Sequence, residues 1–296
     1  TVIMVSISPI IALFTAVQSC PANCKFCPTD LVDCEQVFSL QEGHGIPVMT
    51  KKILLRKGNF TIIPERTFRA FSKLQVLSIS DFPLYSLANQ SFATDEVSSL
   101  EMLDLSNNQL TSCWVEASSL SGLQNLKELT LTNNALTSLK KCWFSDLVKL
   151  EKLIISINKI TYLPPRLFDN LAQLTQLQVA SNQIRYISTD TFYGLYLLRE
   201  LDLSENTIIF INKDAFNPLH KLEKLYLFKN KLAMLPDISQ STKVLQLNDN
   251  LWMCTCDLVH SIRKLKDQIE NPDALFCDSP EELQERQILD IEGDIC

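Results

Sequence analysis

Leu150-Glu-Lys-Leu153-Ile-Ile155-Ser-Ile-Asn158-Lys-Ile160-Thr-Tyr-Leu163-Pro-Pro-Arg-Leu-Phe168 places its first five marked apolar residues 3, 2, 5 and 3 positions apart. That spacing suits neither one helix nor one strand. The alternation at Leu153 and Ile155 makes a short strand with one buried face. Asn158 then turns the chain, and Ile160, Leu163 and Phe168 return to the same interior. Such a turn cannot bury its apolar side alone, so it requires copies above and below.

The copies are present. The Asn slot recurs as Gly58, Phe82, Asn108, Asn134, Asn158, Asn182, Asn206, Asn230 and Asn250, in steps of 24, 26, 26, 24, 24, 24, 24 and 20 residues. Three residues before each slot sits an apolar strand residue, from Leu55 and Ile79 to Leu227 and Leu247. Ten residues after it sits Phe in several turns: Phe68, Phe92, Phe144, Phe168, Phe192 and Phe216. An Asn amide carries donors and an acceptor for backbone groups of adjacent turns that burial would otherwise leave unpaired. Gly58 and Phe82 cannot do this, so the first two turns are expected to be less regular. The pattern resembles Leu-x-x-Leu-x-Leu-x-x-Asn-x-Leu, the leucine-rich repeat. The expected fold is therefore α/β, a curved leucine-rich repeat solenoid with a parallel β-sheet on its concave face.

The chain has 296 residues and a net charge of -7. Mild acidity argues against nucleic acid as a partner. Residues 1–19 contain no charge and are mostly apolar, which reads as a secretory signal. Residues 20–49 then form an N-terminal cysteine cap, 50–250 an array of about nine turns, and 251–296 a C-terminal cysteine cap. The first cluster is Cys20, Cys24, Cys27 and Cys34, and the last is Cys254, Cys256, Cys277 and Cys296. In a secreted chain such clusters favour disulfides over metal. Asp257 is placed to cap a helix whose apolar face is Leu258, Ile262, Leu265 and Ile269. Cys113 lies five residues past its slot, where other turns face the core, and Cys142 follows in the next turn. They form either one disulfide or two separate thiols. Asn59 and Asn89 head Asn-x-Ser/Thr sequons and are expected to carry glycans.

The whole mature chain resembles capped extracellular leucine-rich repeat proteins, a group that includes Slit, the Nogo receptor, platelet glycoprotein V and the regulatory subunit of carboxypeptidase N. The stretch from Thr50 to Phe68 looks most like the last two. The resemblance implies pairings Cys20–Cys27 and Cys24–Cys34 at one end, and Cys254–Cys277 and Cys256–Cys296 at the other. It also implies that Trp252 shields the last turn.

Chemistry-bearing motifs are missing from the sequence. His44, His220 and His260 fall in three separate contexts, and no nucleophile elbow, phosphate-binding Gly loop or His-Glu-x-x-His helix occurs. We expect no enzyme, no cofactor and no metal. A binding surface is expected on the concave face, from residues four, two and one before each slot. Ile154 and Ile157 place aliphatics mid-array, while Tyr226, Phe228 and Lys229 place two aromatics and a cation beside Asp202 and Glu205. The expected partner is a protein ligand, with or without glycans of its own. The expected location is secreted or extracellular, reaching the membrane only through a segment beyond this sequence. Two functions fit: a protein-binding module in adhesion, receptor assembly or immune recognition, or a non-catalytic carrier subunit of a secreted enzyme such as a carboxypeptidase.

Overall fold

A computed structural model describes residues 23–25, 30–37, 46–239 and 241–291. One sheet of 11 strands runs from Cys24 to Gln246. It starts with Cys24–Lys25 antiparallel to Leu31–Glu35, and every later pairing in it is parallel. The N-terminal cap thus contributes strands to the same sheet and covers its first edge. Each repeat adds one strand in unbroken register: Leu129, Leu153, Leu177, Leu201 and Leu225 are successive partners, all fully buried.

The Asn slots are hydrogen-bonded as their chemistry requires. Asn158 Nδ2 donates to Leu131 O at 3.0 Å and Ile155 O at 3.1 Å, and its Oδ1 accepts from Leu136 N at 3.1 Å. One side chain thus ties its own strand to the preceding strand and to the backbone leaving that strand. The same set recurs at Asn134, Asn182, Asn206 and Asn230. On the return path the Phe residues stack between turns, Phe68 on Phe92 at 5.8 Å and Phe192 on Phe216 at 5.9 Å.

The first two turns depart from this scheme only at the slot. Their strands, Lys52–Arg56 and Val76–Ser80, are longer than those that follow and hold full register. Phe82 is buried, and its ring lies where a side chain on Gly58 would project: a Cβ there would meet Phe82 Cε1 at 1.9 Å. An aromatic ring and a missing side chain replace the amide network with apolar packing, which preserves the stacking.

Two further expectations are corrected. Cys113 does not face the core; it and Cys142 are exposed free thiols. The step between Asn108 and Asn134 has 26 residues. The added length lets Val115 take the inward place, bridging to Leu87, and pushes Cys113 and Trp114 out. The helix Cys256–Leu265 is capped by Thr255, whose side chain accepts from Leu258 N, and not by Asp257, which lies in its first turn. Its buried face is Leu258, Val259 and Ile262.

Disulfides join Cys24 to Cys34 and Cys254 to Cys277, as the resemblance implied. The expected pairings of Cys20 with Cys27 and of Cys256 with Cys296 lie outside the described residues, as do the signal segment and His44. Trp252 is buried, and its Nε1 donates to Leu247 O at 3.3 Å, closing the last turn. Among the described residues no helix is long and apolar enough to cross a membrane, and no group of His, Cys, Asp and Glu could hold a metal ion.

Candidate functional site

Strand periodicity sends Ile154, Gln178, Asp202, Tyr226 and Gln246 to the concave surface in one row, each the direct partner of the next. The two places expected from the sequence therefore belong to one surface: Ile154 and Tyr226 are three strand steps apart, roughly 14 Å at the usual strand spacing. All of these side chains are half-buried. Burial raises the Tyr226 hydroxyl above its ordinary value, with the Glu200 carboxylate adding to the effect. Tyr226 thus presents a neutral donor on an apolar ring, next to the half-buried Phe228.

The position one before each slot behaves differently from a strand residue. Asn107, Asn133, Ile157, Ser181, Glu205, Lys229 and Asp249 all have φ between 52° and 57°. Asn tolerates this left-handed backbone, whereas a β-branched residue is an outlier there. Most members bond along the row. Asn133 Nδ2 donates to Asn107 Oδ1 at 2.9 Å, Ser181 Oγ to Glu205 Oε2 at 2.8 Å, and Lys229 Nζ to Glu205 Oε1 at 2.8 Å. Ile157 interrupts the row, 52% exposed and strained at φ 57°. Lys229 and Ser181 hold the Glu205 carboxyl below the usual range, and Glu205 holds the Lys229 ammonium above its own. Lys229 Nζ also lies 6.0 Å from the Phe228 ring centre. Glu205 and Lys229 are thus already each other's partner, leaving Ile154, Ile157, Tyr226 and Phe228 as the unsatisfied part of the surface.

The sequence reading missed a second surface. On the flank that follows each Asn slot, the fourth residue points outward: Tyr162, Tyr186, Phe210 and Met234 are exposed in successive turns. A small parallel ladder, Tyr186–Ile187 against Phe210–Ile211, holds this register, with Ile187 and Ile211 turned inward. Exposed Ile209, Leu251 and Met253 widen the stripe, and Trp114 lies further back along it. The signal was available as a 24-residue recurrence of large apolar residues four past the slot. It was hidden because adjacent Leu and Ile residues at the second and fifth positions are core, and in sequence all look alike. Both sequon asparagines are exposed in the first two turns; Asn89 Oδ1 also accepts from Ser118 Oγ at 2.7 Å.

Leucine-rich repeat family models match residues 99–123, 124–184 and 174–232. No curated protein sequence matches the chain. Human 5T4 (Wnt-activated inhibitory factor 1, trophoblast glycoprotein) is similar in structure at TM-score 0.68 and 21% identity, covering 94% of this chain and 98% of that one. The octameric complex of Latrophilin 3, Unc5D and FLRT2 (LRR) gives 0.67 and 19%, with 93% and 99% covered. TLR13, in its complex with ssRNA13, gives 0.58 and 24%, with 84% of this chain and 44% of that one covered. Together with the repeat register, these establish the leucine-rich repeat fold.

Proposed function

We propose that this protein is an extracellular protein-binding module that holds its ligand on the concave sheet and acts in adhesion, receptor assembly or immune recognition. The observation that carries this reading is Ile157. An aliphatic side chain is kept exposed in a strained conformation, in a row where every other turn from Asn107 to Asp249 has a polar residue. Strain of this kind is retained where surrounding structure over-determines it, and it concentrates at binding sites. Tyr226 and Phe228 supply aromatic anchors on the same surface. The repeat fold, the capping disulfides and the appearance of the similar FLRT2 chain in a complex with other proteins support a binding role outside the cell.

Tyr226→Ala combined with Phe228→Ala should weaken a captured ligand by about tenfold or more while the array stays folded. Affinity capture from cell surfaces followed by titration of both forms measures this, and equal affinities would remove the concave site. The likeness of Thr50–Phe68 to the carboxypeptidase N regulatory subunit supports a second reading as a non-catalytic carrier. A peptidase held at constant stoichiometry through purification would favour it.

A further inference from the structure

The stripe on the flank has a chemistry unlike the rest of the molecule. From the first to the fifth residue after every slot, over all nine turns, there is no Asp or Glu, in a chain that holds 34 of them. The same lane carries exposed Lys159, Arg185 and Lys231, and none of them has an ion-pair partner among the described residues. From Tyr162 to Met253 the stripe crosses four strand steps, roughly 19 Å. Backbone bonds such as Lys231 N to Ile208 O at 2.9 Å and Met253 N to Ala233 O at 3.0 Å keep successive turns rigidly stacked there. Little ordering would therefore oppose binding.

We propose that this flank is a second docking surface, separate from the concave site, for a protein that presents acidic side chains interleaved with apolar ones. Charge complementarity selects that partner. A second copy of the chain, joined two-fold through the same lane, would set cations against cations, which disfavours it. A sulfated glycan or an RNA strand would meet only three cations spread over several turns, on a molecule of net charge -7. Tyr186, Phe210 and Met234 provide the apolar anchors, and the cations set orientation and association rate.

The test uses a short synthetic peptide alternating Asp and Glu with Leu and Tyr, titrated by fluorescence anisotropy against the full chain. Versions with Lys for the acids, or Ser for the apolar residues, serve as controls. The expected result is saturable binding of the acidic-apolar peptide alone. It should weaken about tenfold or more in Tyr186→Ser with Phe210→Ser, and weaken and lose its salt dependence in Arg185→Glu with Lys231→Glu. It should be unchanged in Tyr226→Ala with Phe228→Ala, so failure here is distinct from failure of the concave site. These side chains are exposed, and unchanged melting curves confirm folding; should the serine pair unfold, Tyr162→Ser replaces it. No binding, binding indifferent to the flank variants, or binding of the Lys peptide would overturn the proposal. So would self-association, or heparin or RNA binding, that the flank variants alone abolish.

Discussion

Along the concave sheet and at the starts of its strands, several charged side chains meet partners on the next turn. Glu101 pairs with Lys127 at 2.9 Å, Glu128 with Lys152 at 3.0 Å and Glu205 with Lys229 at 2.8 Å. On the flank a few residues further along the same turns, Lys159, Arg185 and Lys231 meet none among the described residues, and aromatic rings stand open to solvent. Exposed ion pairs add little stability, but they neutralise a surface and keep it hydrated. The concave sheet thus pairs several of its charges around a few apolar exceptions, whereas the flank from Tyr162 to Met253 leaves its three cations without ion-pair partners among the described residues. Identical repeats can carry two different surfaces because the backbone bonds and the buried Leu columns already meet the demands of stacking. The outward positions are then free to vary.

The largest test of this contrast is the residue common to both surfaces. Asn158 bonds to strand carbonyls with Nδ2 and to the flank amide of Leu136 with Oδ1. Asn158→Ala leaves these buried groups unpaired and should lower stability by about 3 kcal/mol in denaturant unfolding. Hydrogen exchange should speed up at Leu136 as well as along the strand. Protection kept at Leu136 would mean that flank and sheet are held independently.

A smaller effect of opposite sign is expected at Ile157. Ile157→Asn removes a β-branched side chain from φ 57° and lets the polar row continue toward Asn133. Stability should rise by about 1 kcal/mol while concave ligand affinity falls. A loss of stability would show that the left-handed backbone there carries no strain. The flank stripe has no counterpart, since Tyr162, Tyr186, Phe210 and Met234 are absent from the left-handed positions.

The smallest effect concerns acid. The Glu205 carboxyl is depressed by Lys229 and Ser181, so its contribution is present above the unfolded carboxylate range and is lost as pH falls through the depressed folded value. Both partners are exposed, and the stability change should be slight. Lys229→Met should bring the Glu205 titration back up toward the ordinary carboxylate range, read by NMR of the side-chain carboxyl. An unmoved titration would show that the ion pair does not form in solution.

Repeat register, the Asn slots and the inward Phe positions were legible in the sequence because they recur with the period of the turns, while the place of Trp252 was legible only through the resemblance of the last cysteine cluster to a known cap. The row four before each slot was legible for the same reason as the register, since alternation along a strand fixes its faces, but the left-handed backbone one before each slot was not. Cys113 was misread because the added residues after Asn108 move the inward place to Val115, and a fixed offset cannot register an insertion. Asp257 was misread because two nearby residues, Thr255 and Asp257, both suit a cap, and the extended backbone at Thr255, just before the helix starts at Cys256, selects Thr255.

What the sequence by itself determined is the solenoid: buried Leu, slot Asn and capping Cys are local chemical necessities of a turn that must stack. Tertiary structure alone decided how surfaces compose. Stacking at fixed register brings residues 24 positions apart into contact, joining Ile154 to Tyr226 in one row and Tyr162 to Met234 in another. It also decided which large apolar residues are left outside. A Leu or Tyr has the same affinity for burial wherever it stands, and only the path of the backbone determines whether it obtains it.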